Sequence, residues 1–141
     1  MRFWDSSAVI PLLLEQPMSE RARGLLAEDP DVVIWWATPI ECASAFARLR
    51  REDLLTEAQE AEASRSMEQL RVGWFEMLPG DQVRAQAMRV LRLHALGAAD
   101  SLQLAAALEW SGSPATGTLV TFDARLASAA EREGFSVLGT R

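Results

Sequence analysis

Residues 32–37 form an unbroken apolar run, Val-Val-Ile-Trp-Trp-Ala, which restricts the fold of this chain more than any other feature. The run has the length of one strand and lies between the turn Asp29-Pro30-Asp31 and the pair Thr38-Pro39. A strand that is apolar at every position has no face suited to water, so it fits a parallel sheet covered on both sides. We therefore expect Val32–Ala37 to be a buried strand, with Trp35 and Trp36 in the core.

Strand-like and helix-like segments alternate along the rest of the chain. Short apolar runs predict further strands over Phe3–Asp5, Trp74–Leu78, Thr118–Phe122 and Ser136–Leu138. Helical spacing of apolar residues and capping signals predict helices over Ser6–Leu14, Ser19–Ala27, Thr38–Arg51, Thr56–Arg71, Asp81–Leu96, Ala98–Trp110 and Ala124–Glu133. This order predicts one α/β domain over residues 1–141, with three layers, α/β/α, around a short, mostly parallel sheet.

The charged residues and the single cysteine exclude several classes of site. All 14 basic residues are arginine, there are 20 acidic residues, and the net charge is -6. Because lysine is absent, a P-loop, a Schiff-base enzyme and a lysine-dependent phosphatase or phosphoacceptor switch are excluded. Cys42 alone cannot form an internal disulfide, and no Cys/His cluster suits zinc. An acidic chain that handles nucleic acid needs local positive charge, and a divalent metal ion is the obvious source.

The hydropathy pattern predicts a cytoplasmic protein. No stretch of about 20 apolar residues is present, so we expect no membrane span. Asp5 comes before an N-terminal apolar run can form, so we expect no secretory signal.

Four acidic residues occupy positions that bring side chains to one edge of a parallel sheet. Asp5 and Asp123 each follow a predicted strand, and Glu41 and Asp100 lie in the first turns of predicted helices. Two carboxylates ~4 Å apart repel each other by about 4 kcal/mol at an effective dielectric constant of ~20. Mg²⁺ or Mn²⁺ would offset this repulsion, since hard cations prefer carboxylate oxygen and water. The pattern therefore indicates a metal site that activates water.

Each of these acids also fits a purely structural role. Thr38 and Glu41 have the spacing of a capping box, in which Glu41 would accept a hydrogen bond from the Thr38 backbone. Asp5, Asp100 and Asp123 are equally suited to capping a helix or to stabilising its first turn. Spacing alone leaves both interpretations open.

The four acids occur within four longer motifs, in a fixed order along the chain. The first is Phe3–Ile10, and the second is Thr38-Pro39-Ile40-Glu41 with Ala43, Ala45 and Arg48. The third is His94–Leu108, and the fourth is Leu119–Leu126 with Ala129, Ala130 and Gly134. Together these motifs, spread over residues 3 to about 138, resemble those of PIN-domain nucleases, and most closely those of VapC-type toxins of bacterial toxin–antitoxin pairs.

This resemblance implies a PIN fold, Mg²⁺ or Mn²⁺ in an acidic pocket, and endonucleolytic cleavage of RNA. It also implies an antitoxin with a basic or arginine-containing inhibitory segment, and a homodimer. By motif position, the catalytic and metal-binding residues would be Asp5, Glu41, Asp100 and Asp123. Ser7, Thr121 and, more weakly, Ser6 match hydroxyl residues that orient the carboxylates.

Two arginines are candidates for contact with RNA phosphate, Arg48 two turns after Glu41 and Arg125 just after Asp123. His94, the only histidine, ends an apolar stripe, and we expect it to be half-buried and structural. The competing hypothesis is a catalytically silent PIN-like module that binds RNA or a protein partner. The presence of all four acids favours the nuclease.

Overall fold

Five strands form the middle layer of the fold. The computed structural model describes residues 1–140, and its strands are β1 (Arg2–Trp4), β2 (Val32–Trp35), β3 (Phe75–Met77), β4 (Thr118–Thr121) and β5 (Ser136–Gly139). They pair in the order β3-β2-β1-β4-β5, and the four pairs are parallel. The expected short parallel sheet is confirmed. The predicted domain extends to Arg141, which lies outside the described residues.

Seven helices connect the strands within residues 1–140. They are α1 (Ser6–Leu13), α2 (Ser19–Glu28), α3 (Thr38–Arg51), α4 (Glu57–Arg71), α5 (Asp81–Leu93), α6 (Ala98–Ser111) and α7 (Ala124–Arg132). Thr56 caps α4 as the sequence predicts, because its hydroxyl accepts a hydrogen bond from the Gln59 amide at 3.1 Å and the Gln59 side chain accepts one from the Thr56 amide at 2.9 Å. In this part of the chain, no helix is long and apolar enough to cross a membrane.

Two of the predicted details are wrong. Helix α5 ends at Leu93 rather than Leu96, because His94 adopts an extended conformation (φ -133°) and its ring bonds to Glu133 at 2.8 Å. Strand β2 ends at Trp35, and Trp36 lies in the following turn with 46% of its surface exposed. The Trp36 amide still bonds to the Met77 carbonyl at 3.0 Å, but the chain turns away from the sheet at this point.

Helices cover both faces of the sheet, which confirms the three layers. On one face, Phe3, Val33 and Trp35 pack against α5, α6 and α7. On the other face, Trp4 and Ile34 pack against α1, α2, α3 and α4. Full burial of one such large apolar side chain contributes about 1.5–3 kcal/mol to folding. Every residue of β2 is therefore apolar because alternate side chains pack into the two helical layers on opposite faces of the sheet.

The pairing of β1 with β4 brings two distant segments of the chain together. Trp4 pairs with Val120, and the Asp5 amide donates to the Val120 carbonyl at 3.1 Å. The residues that follow both strands therefore leave the sheet at the same edge. Gly139 of β5 lies beside Thr121 at this edge with φ +116°, a conformation that favours glycine. A Cβ atom there would collide with the Thr121 carbonyl oxygen.

Candidate active site

Asp5 lies at the carboxyl end of β1 and caps helix α1. Its Oδ2 accepts a hydrogen bond from the Ser7 amide at 3.2 Å, and its Oδ1 accepts one from the Ser7 hydroxyl at 2.8 Å. Only 2% of Asp5 is exposed to solvent. Asp5 therefore has both predicted roles: it caps α1, and it lies at the carboxyl end of β1.

The Ser7 and Thr121 hydroxyls join the start of α1 to the end of β4. Their oxygens are 3.2 Å apart, and the Phe122 amide donates to the Ser7 hydroxyl at 2.9 Å. The Asp123 amide donates to the Thr121 hydroxyl at 3.0 Å. Asp123 in turn caps α7, since its Oδ1 accepts from the Leu126 amide at 2.8 Å. Both hydroxyls thus position the backbone and side chains around two of the acids.

Glu41 points away from its own helix end and toward the neighbouring elements. Its Oε2 accepts a hydrogen bond from the Ser6 hydroxyl at 2.7 Å, and its Oε1 accepts one from the Gln103 side chain at 3.1 Å. The capping-box alternative for Glu41 is wrong, because Thr38 lies inside the first turn of α3 and Ala37 is the cap residue. The Thr38 hydroxyl instead accepts from Gln103 at 3.0 Å.

Gln103 belongs to this site, although the sequence reasoning did not single it out. It is fully buried on α6, three residues after Asp100. Its side-chain nitrogen donates two hydrogen bonds to α3, one to Thr38 and one to Glu41. Its Oε1 is buried and has no hydrogen-bond partner among the described residues. The sequence does contain a signal for this role, because Gln103 is the one polar residue in the apolar stretch 102–108. A polar side chain buried in such a stretch requires a hydrogen-bond partner.

Asp100 is the acid with which the other three interact. It lies half-buried in the first turn of α6. Burial raises the pKa of Asp100, the charge of Asp123 raises it further, and Arg125 opposes both effects. The charge of Asp100 also contributes to the raised pKa values of Asp5 and Glu41. The four carboxylates therefore form one electrostatically coupled group.

Burial has its largest effect on Asp5. It raises the pKa of Asp5 from 3.8 to about 7, against the hydrogen bonds from Ser7 and Thr121, which lower it. Burial likewise raises the pKa of Glu41, and the hydrogen bonds from Ser6 and Gln103 oppose this change. Among the described residues, no positive charge offsets the burial of Asp5 or Glu41, whereas Arg125 does so in part for Asp100.

The spacing of the carboxylates limits how many of them can contact one metal ion. Within residues 1–140, no three His, Cys, Asp or Glu side chains are close enough together to hold one metal ion. Like charges repel, and hydrogen bonds hold both oxygens of Asp5, both oxygens of Glu41 and one of Asp123. The carboxylates share an edge of the sheet but are not arranged as a ligand cluster.

The donor types nevertheless fit a hard divalent cation. All four acids supply carboxylate oxygen, which Mg²⁺ and Mn²⁺ prefer. The raised pKa values of Asp5, Glu41 and Asp100 show that added positive charge would stabilise the ionised side chains. The donor types and the uncompensated negative charge of the site therefore fit a divalent metal ion.

The remaining candidate residues lie at different distances from the acids. Arg125 is exposed on α7 and interacts electrostatically with Asp100, whereas Arg48 is exposed in the last turn of α3. His94 is held by Glu133, in agreement with a structural role. Cys42 is buried, and burial raises the pKa of its thiol to about 12, an effect to which Glu41 and Asp5 add. Its thiol is therefore unreactive.

Comparison with known proteins gives a consistent family and fold. The family model described as PIN domain matches residues 2–140. No curated protein matches the chain by sequence. FitAcB from Neisseria gonorrhoeae superposes with a TM-score of 0.70 and 21% identity, over 99% of this chain and 97% of that one. Mycobacterium tuberculosis VapC20, described as a Sarcin-Ricin loop cleaving toxin, superposes with a TM-score of 0.70 and 18% identity, over 96% of this chain and 97% of that one.

A toxin–antitoxin complex from Klebsiella pneumoniae has the same fold. It superposes with a TM-score of 0.67 and 13% identity, over 100% of this chain and 98% of that one. At these identities the superpositions establish a shared fold over nearly the whole of each chain.

Proposed function

The chain belongs to the PIN-domain family, and from this premise we propose that it is a metal-dependent endoribonuclease, the toxin of a toxin–antitoxin pair. It would hydrolyse RNA phosphodiester bonds with water activated by Mg²⁺ or Mn²⁺. The observation that carries this proposal is the pairing of β1 with β4, which brings Asp5 and Asp123 to one edge of the sheet. Glu41 bonds there to Ser6, the residue after Asp5, and the charge of Asp100 acts on Asp5 and Glu41. The fold shared with VapC20, described as a Sarcin-Ricin loop cleaving toxin, supports it.

In the proposed mechanism, Asp5, Glu41, Asp100 and Asp123 are the catalytic and metal-binding residues. When bound, Mg²⁺ or Mn²⁺ supplies an activated water and stabilises negative charge on the phosphodiester. Ser7 and Thr121 keep Asp5 and Asp123 oriented, and Ser6 keeps Glu41 oriented, through the hydrogen bonds described above. Arg125 and Arg48 are the candidate contacts to RNA phosphate. Attack by water leaves a 5′-phosphate and a 3′-hydroxyl.

A cognate antitoxin with a basic or arginine-containing inhibitory segment is the proposed partner. An arginine of such a segment would neutralise the acidic site in place of a metal ion. A separate groove of about 500 Å³ between α1, α3 and α4 offers a place for the rest of the segment. Leucines line this groove beside two acids, so it fits an apolar segment with basic residues; these lining residues are Leu13, Leu14, Leu49, Leu54, Leu55, Glu15 and Glu62.

We also propose a homodimer, on the basis of exposed apolar side chains on β3 and α5. Strand β3 is an edge strand, and Phe75 in it is 56% exposed. Helix α5 exposes 62% of Met88 and 58% of Leu93. Exposed apolar surface of this kind marks an interface between proteins. Sedimentation of the purified chain would measure its mass in solution, and a monomer at high concentration would contradict this part of the proposal.

A catalytically silent PIN-like module for RNA or protein is the second candidate function. The observation that favours it is the spacing of the carboxylates, which within residues 1–140 form no ligand cluster. Titration calorimetry with Mn²⁺ distinguishes the two candidates, because a nuclease site should give a saturable heat of binding. A protein that binds RNA but releases no specific heat with Mn²⁺ would support the silent module.

The nuclease proposal predicts discrete, metal-dependent cuts in RNA. The purified chain, free of any partner, is incubated with a whole-cell RNA pool in the presence of Mn²⁺ or EDTA, and the ends of the products are mapped. We expect cuts only with Mn²⁺, each leaving a 5′-phosphate. Products with 2′,3′-cyclic ends would contradict the mechanism, because the ribose 2′-hydroxyl would then be the nucleophile. The absence of cuts would contradict the nuclease function.

The hydrogen bond from Gln103 to Glu41 leads to a second prediction. In Gln103→Leu, which keeps a similar volume, Glu41 loses one of its two donors and should turn from its present position. We expect cleavage to fall by about 10–100-fold, the usual effect of losing a residue that orients a metal ligand. Exposed Gln82 on α5 gives the matched control, Gln82→Leu. Equal cleavage rates for the two folded variants would contradict a positioning role for Gln103.

A further inference from the structure

A groove lies beside the acidic site, between helix α7 and the loop before α6. It has a volume of about 500 Å³, and we call it the α7 groove; its lining residues are His94, Ala95, Ala124, Arg125, Ser128, Ala129 and Arg132. On one wall, Ala124 and Arg125 directly follow Asp123. On the opposite wall, His94 and Ala95 shortly precede Asp100 in the sequence. The groove therefore begins where two of the four acids lie and runs away from them along α7.

The charge of the α7 groove is opposite to that of the chain as a whole. The chain carries a net charge of -6, yet two arginines and no acidic residue line this part of the described structure. Glu133 lies behind His94, but its carboxylate bonds to Arg89 at 2.9 Å and to His94 at 2.8 Å, so its charge is paired. The groove is thus a local site of positive charge next to an acidic centre.

The two arginines are spaced along one face of α7. Arg132 follows Arg125 by seven residues, which is two helical turns and about 10 Å along the axis. Ser128 lies between them and is exposed, so its hydroxyl is available as a donor. Two guanidinium groups and a hydroxyl along an open groove are the donors that bind consecutive phosphates of a nucleic-acid backbone.

We propose that the α7 groove binds backbone phosphates of single-stranded RNA next to the bond that is cut, through Arg125, Ser128 and Arg132. This inference rests on the proposed function, because it assigns the path of the substrate beyond the acidic site. The small side chains of Ala95 and Ala124 leave the mouth of the groove open to the sugar–phosphate backbone. Phosphate contacts of this kind position the RNA and carry no sequence preference.

The proposal is tested by RNA binding without cleavage. In an Asp100→Asn background with Mg²⁺, a fluorescently labelled single-stranded RNA of mixed sequence is titrated with the protein at several salt concentrations. Arg132→Ala is expected to weaken binding about tenfold, as the loss of one charged hydrogen-bonding contact does. It should also reduce the slope of log Kobs against log salt by about 0.7, the value for one phosphate contact on a single strand. Arg132→Lys should keep most of this slope.

Arg65→Ala is the matched control, since Arg65 is an exposed arginine on α4, a helix that carries none of the four acids. It should change neither the affinity nor the salt slope. If Arg132→Ala behaves like Arg65→Ala, or if the Asp100→Asn protein binds no RNA, the α7 groove is not a phosphate-binding site. The nuclease proposal is judged separately, by whether the unmodified chain cuts RNA with Mn²⁺.

Discussion

Asp100→Asn is expected to lower metal-dependent RNA cleavage by more than about 100-fold. Residues that merely orient a metal ligand cost 10–100-fold when they are lost, so a direct ligand should cost more. Asp100 is also the acid whose charge acts on the pKa values of both Asp5 and Glu41. Asparagine removes this charge with almost no change in size. Initial rates of cleavage with Mn²⁺, on an RNA that the unmodified chain cuts, measure the effect.

Asp81→Asn is the matched control for this prediction. Asp81, like Asp100, is an acid in the first turn of a helix, but its side chain is 96% exposed and lies beside Arg84 on α5. Its replacement should leave the cleavage rate unchanged. If Asp100→Asn cuts as fast as Asp81→Asn, Asp100 has no part in catalysis and the silent module becomes the better hypothesis.

Asp5→Asn is expected to stabilise the metal-free protein at neutral and alkaline pH while abolishing cleavage. Burial raises the pKa of Asp5 from 3.8 to about 7, so the folded state holds a proton that the unfolded state releases. Wild-type stability should therefore fall as the pH rises from 3.8 to about 7 and then level off. This difference in pKa lowers the free energy of unfolding of the wild type by roughly 4 kcal/mol above about pH 7. Asp5→Asn can therefore gain at most this amount of stability.

Urea unfolding in EDTA, repeated across this pH range, measures the effect of Asp5→Asn. The variant and the wild type should converge in stability below pH 3.8 and diverge above it. Asp31→Asn, in an exposed turn, should stay within about 0.5 kcal/mol of the wild type throughout. Mg²⁺ should stabilise the wild type more than Asp5→Asn, since binding to the folded state adds to its stability. A constant difference between the two curves would show that Asp5 does not titrate in this range.

Local sequence signals were enough to locate nearly every helix and strand. The capping box of Thr56 and Gln59 involves residues three apart, and the apolar run of β2 identifies itself as a buried strand. Such signals involve only residues within one turn or one strand, so they can be read from the sequence without knowing the tertiary contacts. The prediction for Leu96 failed because His94 bonds to Glu133 on a distant part of the chain, and the prediction for Trp36 failed because the chain turns toward α3 after Trp35.

The sequence by itself determined which elements form and that Asp5, Glu41, Asp100 and Asp123 belong at the ends of strands and the starts of helices. Only the tertiary structure decided how these side chains are held. The hydrogen bond from Gln103 to Glu41 joins residues 62 positions apart, and that between Ser6 and Glu41 joins residues 35 apart. Burial raises the pKa of Asp5 to about 7, against hydrogen bonds from Ser7 on α1 and Thr121 on β4. Periodicity and capping are properties of neighbouring residues, whereas burial, charge coupling and the spacing of carboxylates arise only when distant elements pack together.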